Sequence, residues 1–338
     1  MTTAGGRTAR SASRPARVAL VAVQVEIGPE VLASAEAYRA HLVDMTRCAV
    51  EDAGEADARF VVLPELAGHL ALLALAPAAA RRQRTLGAAL GQAAVRRPLE
   101  MLRGIASTRT LHPRHAVLAA LAPDGERYWR GVFGPLAREL DAYIVAGSHL
   151  RLSPAGDLLN ASLLFGPDGR VLATTDKINL VPGMEDGAPG GLGLARGGPV
   201  PITATPLGEV ATLICYDGFA TPHTTLERFA PEVARLAARG GVAIVANPAA
   251  NPWPWEGPWP PPRLAAPAHT HPTRAVQWHR EGLAATPGCA RFGITAHLVG
   301  TVLDLAFEGV SEILERGAPI ARAPHAGRGG HAVATVAI

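Results

Sequence analysis

The chain has 338 residues, of which 48% are hydrophobic, so it can bury a core as one large domain or as two smaller ones. Charged residues make up 18% of the chain and apolar segments recur along its length, which excludes a largely disordered protein. The net charge is only +3, the arginines are scattered, and no apolar run approaches the roughly 18–20 residues of a membrane helix, so neither a nucleic-acid-binding nor a membrane-spanning role is indicated.

The N-terminal segment differs in composition from the rest of the chain. Residues 1–16 are rich in Ala, Ser, Thr, Gly and Arg, contain no acidic residue, and lack the apolar core of a secretion signal. We expect a flexible N-terminal tail, with an organelle transit peptide as the alternative. The cysteines Cys48, Cys215 and Cys289 are too few for a disulfide framework and suit a reducing compartment, so we expect a cytoplasmic protein.

The first predicted elements alternate between strand and helix. Residues 18–25 (VALVAVQV) predict a buried strand, residues 31–52 a helix, and residues 60–63 (FVVL) a second strand that Pro64 interrupts. This order is typical of a layered α/β domain. Residues 68–140 are rich in Ala, Leu and Arg and are predicted to be largely helical.

The second half of the chain continues the alternation. Asn247-Pro248 is predicted to end a strand, and the Pro- and Trp-rich residues 251–267 to form an ordered loop or lid. Because helices and strands alternate to the end, we expect one domain over residues 17–338. Strands are predicted at residues 143–147, 161–165, 171–175, 209–216, 242–246, 294–305 and 332–338, and helices at residues 226–239 and 273–284.

Three reactive side chains follow predicted strands. Glu65 follows FVVLP, Lys177 follows VLATTD, and Cys215 ends EVATLIC. Ligands bind beyond the carboxyl ends of strands in α/β sheets, which favours a shared site. Lys177 is the only lysine among 32 basic residues, so it is a candidate for chemistry that arginine cannot perform. Taken singly, each residue also has a purely structural interpretation, as a helix-start carboxylate, a surface lysine and a small buried hydrophobe.

Taken together, the motifs resemble the nitrilase, or carbon–nitrogen hydrolase, superfamily from about Arg17 to the C-terminus. They are VALVAVQ, VVLPE, NAS…GPDGRVL, DKINLVPGMED, LICYD and FEGVSEI, in the order of the family. The resemblance implies a four-layer α-β-β-α sandwich, a homodimer, no cofactor, and a catalytic triad of Glu65, Lys177 and Cys215. It also maps the second glutamate of the family onto Glu185.

The implied chemistry needs these residue types. A thiol attacks an amide carbonyl as its thiolate, and a buried carboxylate such as Glu65 can accept the thiol proton. Lys177 and the backbone N–H of Tyr216 would stabilise the oxyanion, while Cys48 and Cys289 are interpreted as structural. The residues that we expect to support this chemistry or to bind substrate are Glu185, Tyr216, Asp217, Asn247 and Trp253.

The residues after the cysteine bear on the substrate. Tyr216-Asp217-Gly218 resembles amidase-type members, so we expect hydrolysis of a small amide. Nitrile or N-carbamoyl hydrolysis and acyl transfer use the same triad and remain alternatives, as does a binding protein on a retired hydrolase fold. Thr221-Pro222-His223 and the long segment before residue 147 depart from the family pattern, and His223 fits either a pocket or a surface position.

Weaker patterns are not interpreted as sites. The pairs His112/His115 and His269/His271 have metal-like spacing but lie in Pro-rich loops without evident carboxylate or cysteine partners, so we expect no metal. Gly191-Leu192-Gly193 lacks the preceding strand of a nucleotide loop and is predicted to be a flexible loop. Trp253, Trp255 and Trp259 are expected either to form a pocket wall or to anchor their loop, with the wall favoured.

Overall fold

The computed structural model describes residues 17–96, 99, 102, 104–105, 113–187, 191–261 and 266–338. The predicted tail at residues 1–16 lies outside the described residues. So does His112, one of the histidines with metal-like spacing. In the first half of the chain the elements are β1 (Val18–Ile27), α1 (Ala35–Asp52), β2 (Ala58–Val62), α2 (Ala67–Leu75), α3 (Ala78–Arg81), α4 (Leu86–Arg96), α5 (Pro113–Glu139), β3 (Ala142–Val145), β4 (His149–Leu152), β5 (Leu158–Phe165) and β6 (Val171–Asp176).

The second half is richer in strands, and two 3₁₀ turns, Cys215–Gly218 and Leu283–Ala285, interrupt it. None of the helices in the described ranges combines the length and hydropathy that would carry it across a bilayer. The elements are β7 (Ile202–Thr205), β8 (Gly208–Thr212), α6 (Glu232–Arg239), β9 (Val242–Ala250), α7 (Arg274–Glu281), β10 (Phe292–Val302), β11 (Leu305–Phe307), β12 (Glu312–Glu315), β13 (Ala318–Arg322) and β14 (Gly330–Val336).

The described strands form a curled mixed sheet in two halves. Its main path runs β4-β5-β3-β2-β1-β10-β9-β8-β7. Strands β1 to β6 and β14 make up the first half-sheet, and β7 to β13 the second half-sheet. The joint is β1, which pairs with β2 and β14 along its first residues but with β10 only at Val25, Glu26 and Ile27. The fold is therefore a mixed α/β fold in which one strand serves both half-sheets.

The core consists of several apolar clusters. One cluster combines β1 and β2 side chains such as Leu20 and Phe60 with Phe292 and Ile294 of β10, so it lies between the half-sheets. A second packs β1 and β3 against α1, α2 and α5, where Trp129 is fully buried and donates from Nε1 to the Ala146 carbonyl at 2.7 Å. A third packs β8 and β9 against α6.

Several predicted boundaries differ from the observed ones. The first helix begins after Ser34, whose hydroxyl accepts a hydrogen bond from Ala37 N, and not at residue 31. The helix predicted from residue 226 begins at Glu232, directly after Pro231, because proline favours the first turn of a helix over its interior. The strand predicted to reach residue 216 ends at Thr212, and a 3₁₀ turn carries the cysteine.

The prediction that Asn247-Pro248 ends a strand is wrong. Strand β9 continues to Ala250, and Pro248 lies opposite Ala296 of β10. Pairing of β8 with β9 stops at Ala246, so no strand needs the missing N–H of Pro248 on that side. The proline is thus accommodated in a locally free edge.

Candidate active site

A tight connection after β2 carries Glu65. Leu66, the next residue, has a left-handed φ of 63°, and its N–H donates to Ser148 Oγ at 3.1 Å. The N–H of Gly68 donates to the Ser148 carbonyl at 2.8 Å. A Cβ on Gly68 would lie 2.4 Å from His149 Cβ, so only glycine permits this contact. The Glu65 turn is therefore fixed against the β3–β4 connection.

Lys177 lies directly after β6 and is 1% exposed. Its Nζ is 2.7 Å from Glu65 Oε1 and 2.5 Å from Glu185 Oε2. Glu185 Oε2 also accepts a hydrogen bond from Val181 N at 2.9 Å. The ammonium is thus held between two buried carboxylates, and its position is set by both.

Asn160 of β5 completes this cluster. Its Nδ2 donates to Glu65 Oε1 at 2.9 Å and to Glu185 Oε1 at 3.0 Å. From the sequence, Asn160 stood out only as part of the NAS motif. A signal was present, because an amide inside the buried run LLNASLLF requires hydrogen-bond partners.

Cys215 begins a 3₁₀ turn and has a φ of 48°, an uncommon value for a residue other than glycine. Its Sγ lies 3.5 Å from the Ala250 carbonyl. Asn247 Nδ2 donates to the carbonyls of Leu213 at 2.6 Å and of Cys215 at 3.1 Å. A side chain on Gly218 would collide with the Asn247 amide at 2.8 Å. Asn247 therefore holds the cysteine turn in its strained conformation.

Asp217 connects the cysteine turn to the segment that carries Lys177. Its carboxylate is fully buried and accepts hydrogen bonds from Asn179 N at 2.7 Å and from Ile178 N at 3.2 Å. Burial raises the pKa of Asp217 to about 7, although these backbone hydrogen bonds oppose the shift. The described residues that line the site cavity do not include Asp217 or Asn247, so their geometry supports positioning rather than substrate contact.

Burial governs the protonation of the three reactive groups. It raises the pKa of the Cys215 thiol well above its ordinary value, and the charge of Glu65 adds to this effect while Lys177 opposes it. Burial also raises the pKa of Glu65, against the charge of Lys177. Burial disfavours the charged lysine, but the charges of Glu185 and Glu65 outweigh burial and raise the pKa of Lys177 well above its ordinary value. The resting site therefore holds a neutral thiol beside an ammonium.

A cavity of about 280 Å³ opens over these groups. Glu65, Lys177, Glu185 and Cys215 all line it, and so does Tyr216. The structure thus brings three residues that are far apart in sequence, Glu65, Lys177 and Cys215, to one buried cavity. A thiol, a carboxylate and an ammonium in this arrangement can supply a nucleophile, a proton acceptor and a charge for an oxyanion.

His223 lies in the pocket wall rather than on the surface. It is 3% exposed, lines the cavity, and its N–H donates to the Tyr216 hydroxyl. The rings of Tyr216 and His223 lie 4.0 Å apart between centroids. Burial lowers the pKa of His223 well below its ordinary value, with the charge of Arg274 contributing, so the imidazole is neutral.

The loop that carries Trp253, Trp255 and Trp259 combines the two expected roles, pocket wall and loop anchor. Trp253 lines the cavity and stacks with Arg274, whose guanidinium carbon is 5.1 Å from the ring centroid. Trp255 and Trp259 are not among the described lining residues. Trp255 packs against Trp278 at 6.4 Å, and Trp259 packs against His223 at 4.9 Å. Trp253 thus forms part of the cavity wall, and Trp255 and Trp259 anchor the loop.

Two further lining residues were not identified from the sequence. His69 is the one polar residue in AGHLALLAL of α2, and burial lowers its pKa to about 3, so its ring is neutral. Arg274 is 2% exposed and donates from Nε to Asn251 Oδ1 at 2.8 Å. His69 is the polar interruption of an apolar helix and Arg274 is a polar side chain at a buried helical position, and these features are the signals that could have revealed them.

The histidine pair and the glycine-containing segment that were not interpreted as sites contact other parts of the molecule. His271 Nε2 lies 2.8 Å from Glu281 Oε1, which corrects the expectation that no carboxylate is near this histidine. Leu192, predicted to be in a flexible loop, lines the cavity and donates from its N–H to the Met184 carbonyl at 2.8 Å. In the part of the chain that the structure describes, the side chains that could jointly hold a metal ion are Cys48, Asp52 and His331, on α1 and β14.

Comparisons with known proteins agree with this fold. The sequence model of the carbon–nitrogen hydrolase family matches residues 17–281. No curated protein matches the chain. Among solved structures, an amidase from Nesterenkonia sp. superposes with a TM-score of 0.57 at 19% identity, over 98% of this chain and 93% of that chain. A double mutant of that amidase in complex with acrylamide gives a TM-score of 0.57 at 17% identity with the same coverage. A mutant with the acetamide moiety of fluoroacetamide added covalently at its active-site cysteine superposes with a TM-score of 0.56 at 19% identity. This match covers 98% of this chain and 94% of that chain.

Proposed function

The chain belongs to the carbon–nitrogen hydrolase family, and on this premise we propose that it hydrolyses the amide bond of a small molecule through a thioester on Cys215. The observation that carries the proposal is the single buried cavity lined by Cys215, Glu65, Lys177 and Glu185. The proposed reaction needs no cofactor.

The first half of the proposed reaction forms the thioester. Because burial keeps the Cys215 thiol neutral, Glu65 accepts the thiol proton as the sulfur attacks the carbonyl carbon. The carbon–sulfur bond forms, and the π electrons of the carbonyl move to its oxygen. Lys177 faces this oxyanion as a compact charge. The backbone N–H of Tyr216 is a second donor, because the first N–H groups of a helical turn have no partner within that turn.

The second half releases both products. The oxyanion collapses, the carbon–nitrogen bond breaks, and Glu65 returns the proton to the departing nitrogen. Water then attacks the thioester, and Glu65 accepts a proton from that water. The carbon–sulfur bond breaks to give a carboxylic acid, and Glu65 returns its proton to the departing sulfur, which restores the free thiol. Glu185 and Asn160 keep Lys177 and Glu65 in position through both steps. Hydrogen bonds of 2.5 to 3.0 Å among these four side chains support this role.

The proposed substrate is an amide rather than a nitrile. Tyr216-Asp217-Gly218 supports this choice by its resemblance to amidase-type members. The structural relatives named above are described as amidases, and one carries an acetamide moiety on its active-site cysteine.

We also propose a finer architecture and an assembly. A cluster between the half-sheets and clusters that pack helices on their other faces support a four-layer α-β-β-α sandwich. The resemblance to the family supports association of two copies into a homodimer, which light scattering can test.

Ammonia release from a panel of amides, nitriles and N-carbamoyl compounds tests the proposed function, together with the intact mass of the protein after mixing. We expect ammonia from amides and an acyl adduct that disappears in Cys215→Ala. Addition of hydroxylamine distinguishes acyl transfer, because a transferase would convert the thioester mainly to a hydroxamate. Absence of both turnover and adduct with every compound would contradict the proposal.

A further inference from the structure

The cavity extends from Cys215 into an apolar arm between the helices of the first half of the chain. We define the apolar arm by six of its lining residues, Leu70, Leu73, Leu86, Leu90, Leu118 and Leu121. They come from α2, α4 and α5, within the long segment between Glu65 and β3. The arm and the reactive groups belong to one continuous cavity.

The chemistry of the arm differs from that of the reactive end. Among the described lining residues on α2, α3, α4 and α5, the one with a polar side chain is His69, and its ring is neutral. A charged or strongly polar group that entered the arm would lose its hydration without gaining a partner. An apolar group would gain from leaving water in proportion to the area that it buries.

The size of the cavity limits the ligand. The cavity volume of about 280 Å³ is many times the space that one ordered water needs, so the cavity can hold a ligand of several heavy atoms. Part of this space must hold the scissile amide, and the arm has room for a substituent of several carbon atoms.

We propose that the physiological substrate is an amide with an apolar substituent of several carbon atoms, which fills the apolar arm while the carbonyl carbon lies against Cys215. This inference rests on the proposed function, since it names the substrate class of that reaction. The substituent can lie on the acyl side or on the amine side of the scissile bond, and the experiment below determines which side carries it.

The test uses two homologous series, straight-chain alkanamides and N-alkylacetamides, with substituents of one to twelve carbons. In the series that matches the substrate, kcat/KM is expected to rise about three- to fourfold per added methylene until the arm is filled and then to fall within the series. A flat or falling dependence in both series, with acetamide itself hydrolysed, would overturn the inference and leave the proposed function intact.

Variants of α4 connect this preference to the arm. Ala89 is 2% exposed and lines the cavity, while its neighbour Ala88 is exposed. Ala89→Phe should move the optimum to shorter substituents by several carbons, and Ala88→Phe, the matched control, should not move it. Leu90→Ala enlarges the arm and should move the optimum to longer substituents, whereas Val95→Ala on the exposed face should not. If neither arm variant, once shown to be folded by circular dichroism, moves the optimum, the arm does not hold the substituent.

Binding to a variant that cannot turn over separates this inference from the proposed function. Calorimetry of both series with Cys215→Ala should give affinities that rise with chain length as kcat/KM does in the wild type. Length-dependent binding without turnover or adduct in the wild type would contradict the proposed function while supporting the arm. Binding that is independent of length would contradict the arm.

Discussion

Asn160 Nδ2 lies 2.9 Å from Glu65 Oε1, so a neutral amide holds the carboxylate to which we assign proton transfer. Removing this donor disfavours the charged carboxylate, and Asn160→Ala should therefore raise the pKa of Glu65 further above its ordinary value. The acid limb of the pH profile of kcat/KM should move up by about one to two units, since a hydrogen bond to a charged group contributes about 1.5–3 kcal/mol and one unit corresponds to about 1.4 kcal/mol. Ser162→Ala, on the same strand, is the control and should leave the limb in place.

The cysteines provide the most direct test of the nucleophile. Cys215→Ala should abolish turnover, because no other thiol lines the cavity among the described residues. Cys48→Ser changes an exposed cysteine and Cys289→Ala a buried one, and both variants should keep most of the wild-type rate. Steady-state ammonia release measures all three. Substantial turnover by Cys215→Ala would exclude the thioester mechanism.

Lys177→Arg preserves the charge but not its shape. The guanidinium is a planar fork, and it cannot occupy the position of an ammonium that lies 2.7 Å from Glu65 and 2.5 Å from Glu185. Loss of one oxyanion donor lowers turnover by about a hundred- to a thousandfold, so kcat should fall at least about a hundredfold with the circular dichroism spectrum unchanged.

The matched control for this variant is the opposite exchange nearby. Arg151 forms a half-buried ion pair with Asp176, the residue before Lys177, and Arg151→Lys should change kcat little. If Lys177→Arg retained more than about a tenth of the wild-type turnover, Lys177 could not have the assigned role.

The sequence predicted local features of this protein better than its long-range contacts. The strands predicted at residues 18–25, 161–165 and 171–175 follow from apolar runs, which are local signals. The contact of Asn160 with Glu65 depends on how β5 is placed in the sheet, and no local pattern encodes that placement.

The apolar arm could not be predicted for a similar reason. Residues 68–140 were predicted to be largely helical, and α2 to α5 agree where the structure describes them. Composition does not show which faces of these helices meet and which leave a space between them. The end of β8 at Thr212 was also missed, because apolar residues continue as far as the cysteine although the ladder does not.

A buried histidine makes stability depend on pH. Burial lowers the pKa of His297 to about 3, whereas a histidine in an unfolded chain titrates near 6.5. Below about pH 6.5 the unfolded state binds a proton that the folded state does not, so this residue lowers the free energy of unfolding as the pH falls towards 3. Between pH 7 and pH 5 the loss is about 2 kcal/mol.

His297→Phe should remove this contribution and keep a ring between Trp255 and Trp278. Urea denaturation at pH 7 and pH 5 should show a smaller loss of stability for the variant than for the wild type. His269→Phe, at an exposed position, should behave as the wild type does. An equal loss for wild type and His297→Phe would contradict the assigned pKa.

Chelation tests whether a metal takes part in the reaction. The proposed mechanism assigns every step to side chains and backbone groups, so dialysis against a strong chelator should leave the rate of ammonia release unchanged. Cys48, Asp52 and His331 are the side chains to replace if the rate falls and zinc restores it.

The antiparallel pairing of β1 with β14 joins Val18 to Val336 across almost the whole chain. During synthesis on a ribosome, β1 emerges before the other described strands, and the edge that β14 covers stays open until β14 has been added. An open apolar edge is a template for pairing with other nascent chains. Folding of the first half-sheet should therefore finish only after β14 has left the ribosome, and the yield of the protein in cells should depend on how well that edge is protected in the meantime.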